Sequence, residues 1–198
     1  MEVERWLGAH CPVCGGSLDA PGICRGCSER LRPRRWQNLV FLGSYRELRG
    51  AVRALKFKGG RRISPPIADL LATGVRESGW QLEAVTAVPT TWWRAMLRGY
   101  NPAELLARQI AERLDLPYLA VIARRYTVSQ TRRRRDERAR MKPGTFYLRR
   151  ELEHRRWLLV DDVWTTGATF RAVERALRGG GAEAVYGAVI AARKGGAW

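Results

Sequence analysis

The sequence predicts an α/β fold, with a mostly parallel sheet flanked by helices and a small cysteine-bearing module at the N-terminus. From about residue 36 onward, short apolar segments typical of buried strands alternate with segments whose apolar residues recur at helical spacing. All four cysteines lie within residues 1–35, and the 198 residues suffice for one ordinary domain and a small satellite. We therefore predict a module at residues 1–35 and an α/β domain at residues 36–198.

The first half of the α/β domain contains two predicted helices and one predicted strand. A helix is expected over residues 45–57, where apolar residues recur at helical spacing before a glycine pair. Pro65 and Pro66 are expected to open the second helix, because proline is tolerated in a first helical turn. Residues 84–89, AVTAVP, are apolar and end in proline, which indicates a buried strand that runs into a loop.

A clear helix start lies at Asn101 and Pro102, because asparagine is a favoured N-cap and proline a favoured first helical residue. The elements expected after this helix are a short strand at 118–122, a return strand at 145–148, a buried strand at 157–162, a helix at 168–178 and a strand at 184–192. Strands that alternate with helices in this way favour parallel pairing.

The composition, 45% hydrophobic, is that of an ordinary globular protein. No stretch approaches the roughly 20 apolar residues that cross a bilayer, and the N-terminus MEVERWLGAH is too polar and acidic for a secretory signal. We therefore expect a cytoplasmic protein without membrane insertion. The formal net charge of +17 favours an anionic partner, either a nucleic acid or a polyphosphate metabolite. Alternatively, the excess reflects a genomic base composition that favours arginine.

The four cysteines form two pairs with the same spacer, Cys11-x2-Cys14 and Cys24-x2-Cys27. A two-residue spacer lets a tight turn direct both sulfurs of a pair at one tetrahedral metal, and four thiolates leave no coordination position for water. The pattern therefore predicts a structural zinc site, whose binding energy would fold a module too small for its own core. An iron–sulfur or redox role stays open as an alternative.

The stretch LLVDDVWTTGAT at residues 158–169 combines an apolar strand, two adjacent acids and a threonine-glycine loop that opens a helix. Carboxylates at the carboxyl end of a strand can accept hydrogen bonds from ribose hydroxyls, and Asp161 and Asp162 are the candidates. Backbone N–H groups and hydroxyls at a helix N-terminus form a cradle for a phosphate. The residues predicted to form this cradle are Thr165, Thr166, Gly167, Ala168 and Thr169. Together they indicate a site for a ligand of the 5-phosphoribosyl diphosphate type.

This motif resembles the ribose-phosphate binding sequence of the type I phosphoribosyltransferases. LKFKGG at residues 55–60, VPTTWWRAMLRGYNPAELLA at residues 88–107 and the later DDVWTTGAT, with the four-cysteine module, are arranged as in the ComF family of competence-associated proteins. The resemblance spans nearly the whole chain. It implies a type I phosphoribosyltransferase-like fold, a site for 5-phosphoribosyl diphosphate with Mg, and a role in natural transformation that involves single-stranded DNA and other transformation proteins.

The resemblance also implies roles for individual residues. Asp161 and Asp162 would hold the ribose hydroxyls, residues 165–169 would hold the 5-phosphate, and the loop that follows Val88 would face the diphosphate. The nearest cations to that loop are Arg94 and Arg98. Mg would be held mainly by oxygens of the ligand and by water, so a dense carboxylate cluster is not required.

An arginine-rich segment follows the strand predicted at 118–122. From residue 124 to residue 142 there are nine cations and two acids, a local net charge of 9 − 2 = +7. In the type I fold this region is a mobile loop that closes over the diphosphate, where arginines stabilise leaving-group charge. A second interpretation is a track for single-stranded nucleic acid. In that interpretation the contact residues are Arg132, Arg133, Arg134 and Arg135 on phosphates, with Trp92 and Trp93 stacked on bases. Solvated surface charge is the third interpretation, and the tryptophans are equally compatible with packing.

Two functional classes follow from these patterns. The first is a binding protein that retains the phosphoribosyl ligand while its basic surface contacts single-stranded DNA. The second is an active phosphoribosyltransferase with an unidentified acceptor. Conventional purine salvage is disfavoured, because Thr165 stands where the hypoxanthine-guanine branch has an aspartate suited to proton transfer with the purine. The sequence assigns neither an acceptor nor an oligomeric state.

Overall fold

The computed structural model describes residues 10–20, 22–57, 60–125 and 144–193. Within these residues the helices are α1 (Arg25–Arg30), α2 (Tyr45–Leu55), α3 (Gly60–Glu77), α4 (Trp92–Arg98), α5 (Pro102–Leu114) and α6 (Ala168–Gly179). The strands are β1 (Arg34–Trp36), β2 (Leu39–Ser44), β3 (Ala84–Ala87), β4 (Ile122–Arg124), β5 (Phe146–Leu148), β6 (Arg156–Trp164) and β7 (Ala184–Ala192). Of the helices in this part of the chain, none combines the length and the apolar character that crossing a bilayer requires.

The main sheet has five strands in the order β1-β2-β7-β6-β3. Only its edge pair, β1 with β2, is antiparallel, whereas β2, β7, β6 and β3 run parallel to their neighbours. The strands β4 and β5 form a separate antiparallel pair, as expected for the return strand. The predicted α/β class with a mostly parallel sheet is therefore confirmed. Since parallel strands end at one edge, β3 and β6 deliver their following residues side by side.

Apolar layers cover both faces of the sheet, and β6 shows how the sequence achieves this. Leu158 and Val160 face the layer formed by α2, α3 and α5, whereas Trp157 and Leu159 face α6 and the β4–β5 pair. All four side chains are fully buried. A strand buried on both faces reads as a continuous apolar run, which is why WLLV precedes the two acids.

The start of α5 is tied to the end of β3 by one asparagine side chain. The Asn101 carboxamide oxygen accepts a hydrogen bond from the Ala103 N–H (3.2 Å), while its amide nitrogen donates to the Val88 carbonyl (3.1 Å). The predicted N-cap is confirmed. The same side chain also fixes the entry to the loop after β3.

The helix α3 begins earlier than the sequence predicts, at Gly60, so Pro65 and Pro66 lie inside it. A proline at position 65 cannot donate a backbone hydrogen bond to the carbonyl four residues before it. The Ser64 hydroxyl donates to that carbonyl, of Arg61, at 3.2 Å. A side chain thus replaces the missing backbone donor, and the prediction that these prolines open the helix is wrong.

The strand expected at residues 118–122 divides into two pairings. Tyr118 forms a single parallel bridge with Val85 beside β3, whereas β4 begins only at Ile122 and pairs with β5. Between them the Val121 N–H donates to the Leu119 carbonyl at 2.9 Å, a tight turn that redirects the chain. The residues at 118–122 therefore contribute to two sheets, the main sheet at Tyr118 and the β4–β5 pair at Ile122.

The cysteine module packs against the α/β domain through α2. Val13, Ile23 and Leu31 of the module contact the core layer that contains α2 and α3. One close approach is at Gly50, where a Cβ atom would lie 2.0 Å from the Pro12 carbonyl oxygen. β1 begins at Arg34 and already pairs with β2 of the main sheet, although it precedes residue 36. The boundary near residue 36 between the module and the α/β domain therefore stays a proposal.

Replacing Gly50 by alanine should loosen this contact. The Cβ can be accommodated only if the backbone around Pro12 moves, and overpacking of this kind costs about 1–3 kcal/mol. We expect a lower midpoint in thermal or denaturant unfolding of Gly50→Ala, with faster proteolysis of the module. Gly26→Ala is the matched control, because a Cβ on this exposed residue of α1 meets nothing within 4 Å. Equal stability of both variants would contradict the close contact.

Candidate functional site

The two predicted acids lie in β6 near the carboxyl edge of the sheet. The strand does not end at Asp161 and Asp162 but continues to Trp164, because β7 pairs with it as far as Ala192. On the opposite side of β6, the Val88 N–H donates to the Val160 carbonyl at 2.9 Å. The acids therefore stand beside the residues that leave β3, where a ligand could contact both loops.

The threonine-glycine loop leads from β6 into α6 as predicted. Thr165 and Thr166 are exposed, and Gly167 is the N-cap of α6 with a φ of +71°. The Thr166 hydroxyl oxygen accepts a hydrogen bond from the Ala168 N–H at 3.3 Å, so it shapes the loop. From the first turn of α6, the Arg171 guanidinium donates to the Thr166 carbonyl at 2.7 Å. Backbone amides, hydroxyls and one cation thus meet at a helix N-terminus, which suits a phosphate.

A tryptophan lies directly against the glycine of this loop. A Cβ on Gly167 would lie 2.4 Å from the Trp164 ring, so the position requires glycine for space as well as for φ. Trp164 in turn contacts Trp36 and Phe170, with ring centroids 6.4 Å and 5.1 Å apart. A small cleft opens beside the loop and is lined by Asp161, Val163, Trp164, Thr165, Gly167, Thr169, Phe170 and Val189.

Asp161 and Asp162 differ in their burial and in the charges around them. Burial, followed by the neighbouring charge of Asp162, raises the pKa of Asp161 well above its usual range. The Asp162 N–H donates to Asp161 Oδ1 at 2.8 Å and opposes this rise, as does the positive charge of Lys56. Asp162 itself forms an ion pair with the Lys56 ammonium. The site therefore joins a carboxyl that resists ionisation to a carboxylate with a fixed counterion.

The raised pKa of Asp161 predicts how folding stability depends on pH. A carboxyl whose pKa is higher in the folded chain favours folding while it is protonated, and this contribution is lost as pH rises through the folded pKa. We expect Asp161→Asn, which stays neutral and keeps the oxygen facing the Asp162 N–H, to be more stable than the wild type at neutral pH. Denaturant unfolding over a pH series should show the two curves converging as pH falls. Asp115→Asn, at an exposed position, is the control.

The cations expected near the diphosphate lie on α4 rather than in the loop after β3. Arg98 is in the last turn of this helix, and Arg94 lies near Arg124 of β4. Burial, and then the like charge of Arg94, lowers the pKa of Arg124. The two neighbouring guanidinium groups form a local positive field, which an anion would relieve.

The aromatic pair on α4 is exposed to solvent. Trp92 and Trp93 are 54% and 55% exposed and contact each other edge to face, with centroids 5.7 Å apart. Met96 and Leu97 of the same helix are also exposed, and α4 contains no buried residue. Packing therefore does not account for the tryptophans in the described part of the chain. The predicted contacts Arg132, Arg133, Arg134 and Arg135 lie outside the described residues.

The four cysteines converge as their spacing predicts. Their sulfur atoms all lie within 4.8 Å of one another, with Cys14 Sγ and Cys24 Sγ 3.7 Å apart, and none forms a disulfide. A tetrahedral zinc with bonds of about 2.3 Å to sulfur places its ligands roughly 3.8 Å apart. The Cys24 N–H donates to Cys11 Sγ at 3.4 Å, as the Cys27 N–H does to Cys24 Sγ. The geometry suits a closed site for one metal ion.

The charges of these thiols also favour a bound cation. Burial raises the pKa of Cys27 to about 12, since the neighbouring sulfurs add to the effect and Arg30, 3.5 Å from its sulfur, only partly offsets it. Burial acts in the same direction on Cys11, but backbone N–H donors lower its pKa to about 7. Four sulfurs this close cannot all ionise without a positive charge between them.

Several residues of the site were not predicted. Lys56 and Tyr100 occur within LKFKGG and RGYN, segments that carry the family resemblance, but the sequence assigned them no contact. Arg171 and Arg30 are single arginines in a chain rich in them, so composition gives no signal for either. Their roles depend on which residues the fold brings together across the sequence.

Comparison with known proteins gives the family. The phosphoribosyl transferase domain matches residues 98–197. Competence protein F of Haemophilus influenzae is 34% identical over 189 residues, covering 89% of this chain and 81% of the relative. The DNA utilization protein YhgH of Escherichia coli K12 is 32% identical over 184 residues, covering 88% and 80%. Competence protein ComFC of Bacillus subtilis is 26% identical over 183 residues, covering 89% and 74%.

Solved structures with a similar arrangement include purine phosphoribosyltransferase from Pyrococcus horikoshii, with a TM-score of 0.42 and 16% identity over 79% of each chain. Another is glutamine phosphoribosylpyrophosphate amidotransferase from B. subtilis, with a TM-score of 0.43 and 22% identity over 64% of this chain and 25% of the other. The sequence relatives, with the domain match and the four clustered cysteines, carry the assignment. The chain belongs to the ComF family of competence proteins and contains a phosphoribosyl transferase domain.

Proposed function

We propose that this protein binds 5-phosphoribosyl diphosphate with Mg at the edge formed by β6 and the N-terminus of α6, and that it acts in DNA uptake. The observation that carries the proposal is the adjacency of Asp161 and Asp162 to the loop at residues 165–169. The acids are suited to vicinal hydroxyls, and the loop to a phosphate on the same sugar. A role in DNA uptake is supported by the names of the relatives, which are competence and DNA utilization proteins.

Mg fits this site through the ligand rather than through a protein cage. Mg²⁺ keeps several waters and binds one or two carboxylates together with phosphate oxygens. Asp161 lines the cleft, and the adjacent Asp162 is already paired with Lys56. We therefore infer that the ion arrives with the diphosphate, which it neutralises, while the chain orients the sugar and its 5-phosphate.

Calorimetric titration of the full chain with Mg and 5-phosphoribosyl diphosphate tests the ligand. We expect saturable binding with one ligand per chain, weakened by chelation of Mg and competed by ribose 5-phosphate. Repeating the titration with single-stranded DNA present measures any coupling between the two ligands. The absence of heat and of competition at millimolar ligand would overturn the proposed ligand.

The same proposal includes a structural zinc in the cysteine module. It is supported by four sulfurs within 4.8 Å of one another and by the lack of an open ligand position in a four-thiolate set. The cysteines would hold the ion and tie the turn at residues 11–16 to the start of α1. The ion would supply folding energy and no chemistry.

We further infer that α4 contacts single-stranded DNA through Trp92 and Trp93. Both rings are half exposed, and Arg94 and Arg98 on the same helix can accompany them along a phosphate backbone. Replacing both tryptophans by alanine should weaken binding by roughly 5- to 150-fold per stacked base, with little change in the salt dependence.

A second variant separates stacking from charge. Reversing Arg132 to Arg135 should reduce both affinity and the slope of log K against log salt, which is about −0.7 per phosphate contact for single strands. Met96→Ala with Leu97→Ala is the matched control for α4, because these side chains are exposed but not aromatic. Salt-insensitive binding, or equal losses in the control and the tryptophan variant, would contradict a stacking surface.

Turnover of the bound ligand is the alternative function. It is supported by the phosphoribosyl transferase domain and would appear as diphosphate release in the presence of an acceptor. If the chain bound 5-phosphoribosyl diphosphate tightly but released no diphosphate with any of a broad set of nucleobases and amines, it would be a binding protein and not a transferase. Thr165 already argues against proton transfer to a purine at this position.

A further inference from the structure

An ordered lysine outside the ribose-phosphate motif reaches into the acid pair. Lys56 follows the last residue of α2 and forms an ion pair with Asp162 across a separation of more than 100 residues. The Lys56 and Asp162 side chains are 31% and 18% exposed, so most of the pair is shielded from water. An ion pair shielded to this degree is stronger than a surface pair.

A tyrosine that lies between α4 and α5 holds the backbone around Lys56 in place. The Tyr100 hydroxyl lies within hydrogen-bonding distance of the carbonyl oxygens of Leu55 and Phe57, on either side of the lysine. Tyr100 passes so close to Gly60 that a Cβ there would lie 2.3 Å from the tyrosine oxygen. Three motif residues, Lys56, Gly60 and Tyr100, therefore form one arrangement that fixes where the ammonium lies.

The acid pair needs such a cation. Two adjacent carboxylates repel each other's ionisation, and a protonated carboxyl oxygen donates a hydrogen bond instead of accepting one. Burial raises the pKa of Asp161, and both the hydrogen bond from the Asp162 N–H and the positive charge of Lys56 oppose that rise. Without Lys56, Asp162 would lose the cation that holds its side chain in place.

We propose that Lys56 is a positioning residue of the sugar site, which holds the Asp162 carboxylate in place so that it accepts hydrogen bonds from vicinal hydroxyls of the ligand. This inference rests on the proposed phosphoribosyl ligand. It makes LKFKGG a part of the sugar site, although Lys56 lies outside the threonine-glycine loop.

Titrations of the full chain with Mg and 5-phosphoribosyl diphosphate, ribose 5-phosphate and 2-deoxyribose 5-phosphate test it. Lys56→Met should weaken the first two ligands by about 10- to 100-fold, the range expected for loss of a charged hydrogen bond. The loss should be smaller for the deoxy sugar, which lacks one hydroxyl. Lys56→Arg should recover most of the affinity, and Arg53→Gln, an equal charge change on the exposed face of α2, should behave as wild type.

Two further measurements distinguish a positioning role of Lys56 from a role in folding. Affinity of Lys56→Met should fall at a higher pH than that of the wild type as the solution is acidified, because Asp161 then lacks a positive neighbour that lowers its pKa. Adding Lys56→Met to Asp162→Asn should cost little more, since both act through one carboxylate. Wild-type affinity in Lys56→Met, or full additivity with Asp162→Asn, would overturn this inference alone. Absence of ligand binding by the wild type would overturn it together with the proposed ligand.

Discussion

Exchange of both acids for amides, Asp161→Asn with Asp162→Asn, should abolish ligand binding while the fold persists. A charge-assisted hydrogen bond between Asp162 and a ribose hydroxyl is worth about 1.5–3 kcal/mol and a neutral one at Asp161 about 0.5–1.5 kcal/mol, so loss of both corresponds to roughly a 30- to 2,000-fold weaker complex. The backbone of β6 keeps its pairing with β3 and β7, since both substitutions preserve side-chain shape. Calorimetry with Mg and 5-phosphoribosyl diphosphate measures the loss directly.

The control for this variant carries two acid-to-amide exchanges elsewhere. Asp19 and Asp115 are both exposed, and asparagine tolerates the left-handed backbone found at Asp115. Asp19→Asn with Asp115→Asn changes the net charge equally and should bind as the wild type does. If the β6 variant retained wild-type affinity, the sugar would have to bind elsewhere.

Loss of one cysteine ligand should unfold the module at the N-terminus. Structural zinc contributes about 10–16 kcal/mol in small modules, and this module has few buried residues of its own apart from Cys11 and Cys27. For Cys24→Ser we expect zinc content to fall from one ion per chain to a small fraction. Limited proteolysis should then cleave between residues 10 and 31, and a strong chelator should reproduce the effect in the wild type.

A neighbouring serine provides the comparison. Ser28→Ala in α1 leaves all four sulfurs in place and should retain the metal. If metal analysis found iron with visible absorption instead of zinc, the four cysteines would hold an iron–sulfur cluster and not a structural zinc ion. A chain that kept its protease resistance after Cys24→Ser would show that the metal is not needed for folding.

The strands of the parallel sheet were predictable because burial on both faces leaves a direct mark in the sequence. WLLV and AVYGAVIAA are apolar without alternation, and both form strands at the predicted places. The α5 start was equally predictable, since Asn101 and Pro102 act on backbone groups within three residues. Local chemistry of this kind needs no knowledge of the rest of the chain.

What the sequence did not predict depends on distant partners. Ser64 compensates Pro65 inside α3, and propensity alone places the helix start at the proline. The ion pair of Lys56 with Asp162 and the contact of Tyr100 with the turn after α2 join segments far apart in the chain. The candidate site was thus predictable in its motif but not in the residues that hold the motif in place.

Helix α2 contacts the cysteine module near its middle and lies beside the candidate sugar site at its C-terminal end. At Gly50 it packs against Pro12, next to Cys11 of the proposed metal site, and six residues later Lys56 reaches Asp162. At 1.5 Å per residue these two contacts are about 9 Å apart along one helix. Removal of the metal should therefore shift the sugar affinity, and by thermodynamic reciprocity the bound sugar should tighten the metal by the same factor. Zinc depletion is therefore expected to change the affinity of this protein for the proposed phosphorylated ligand.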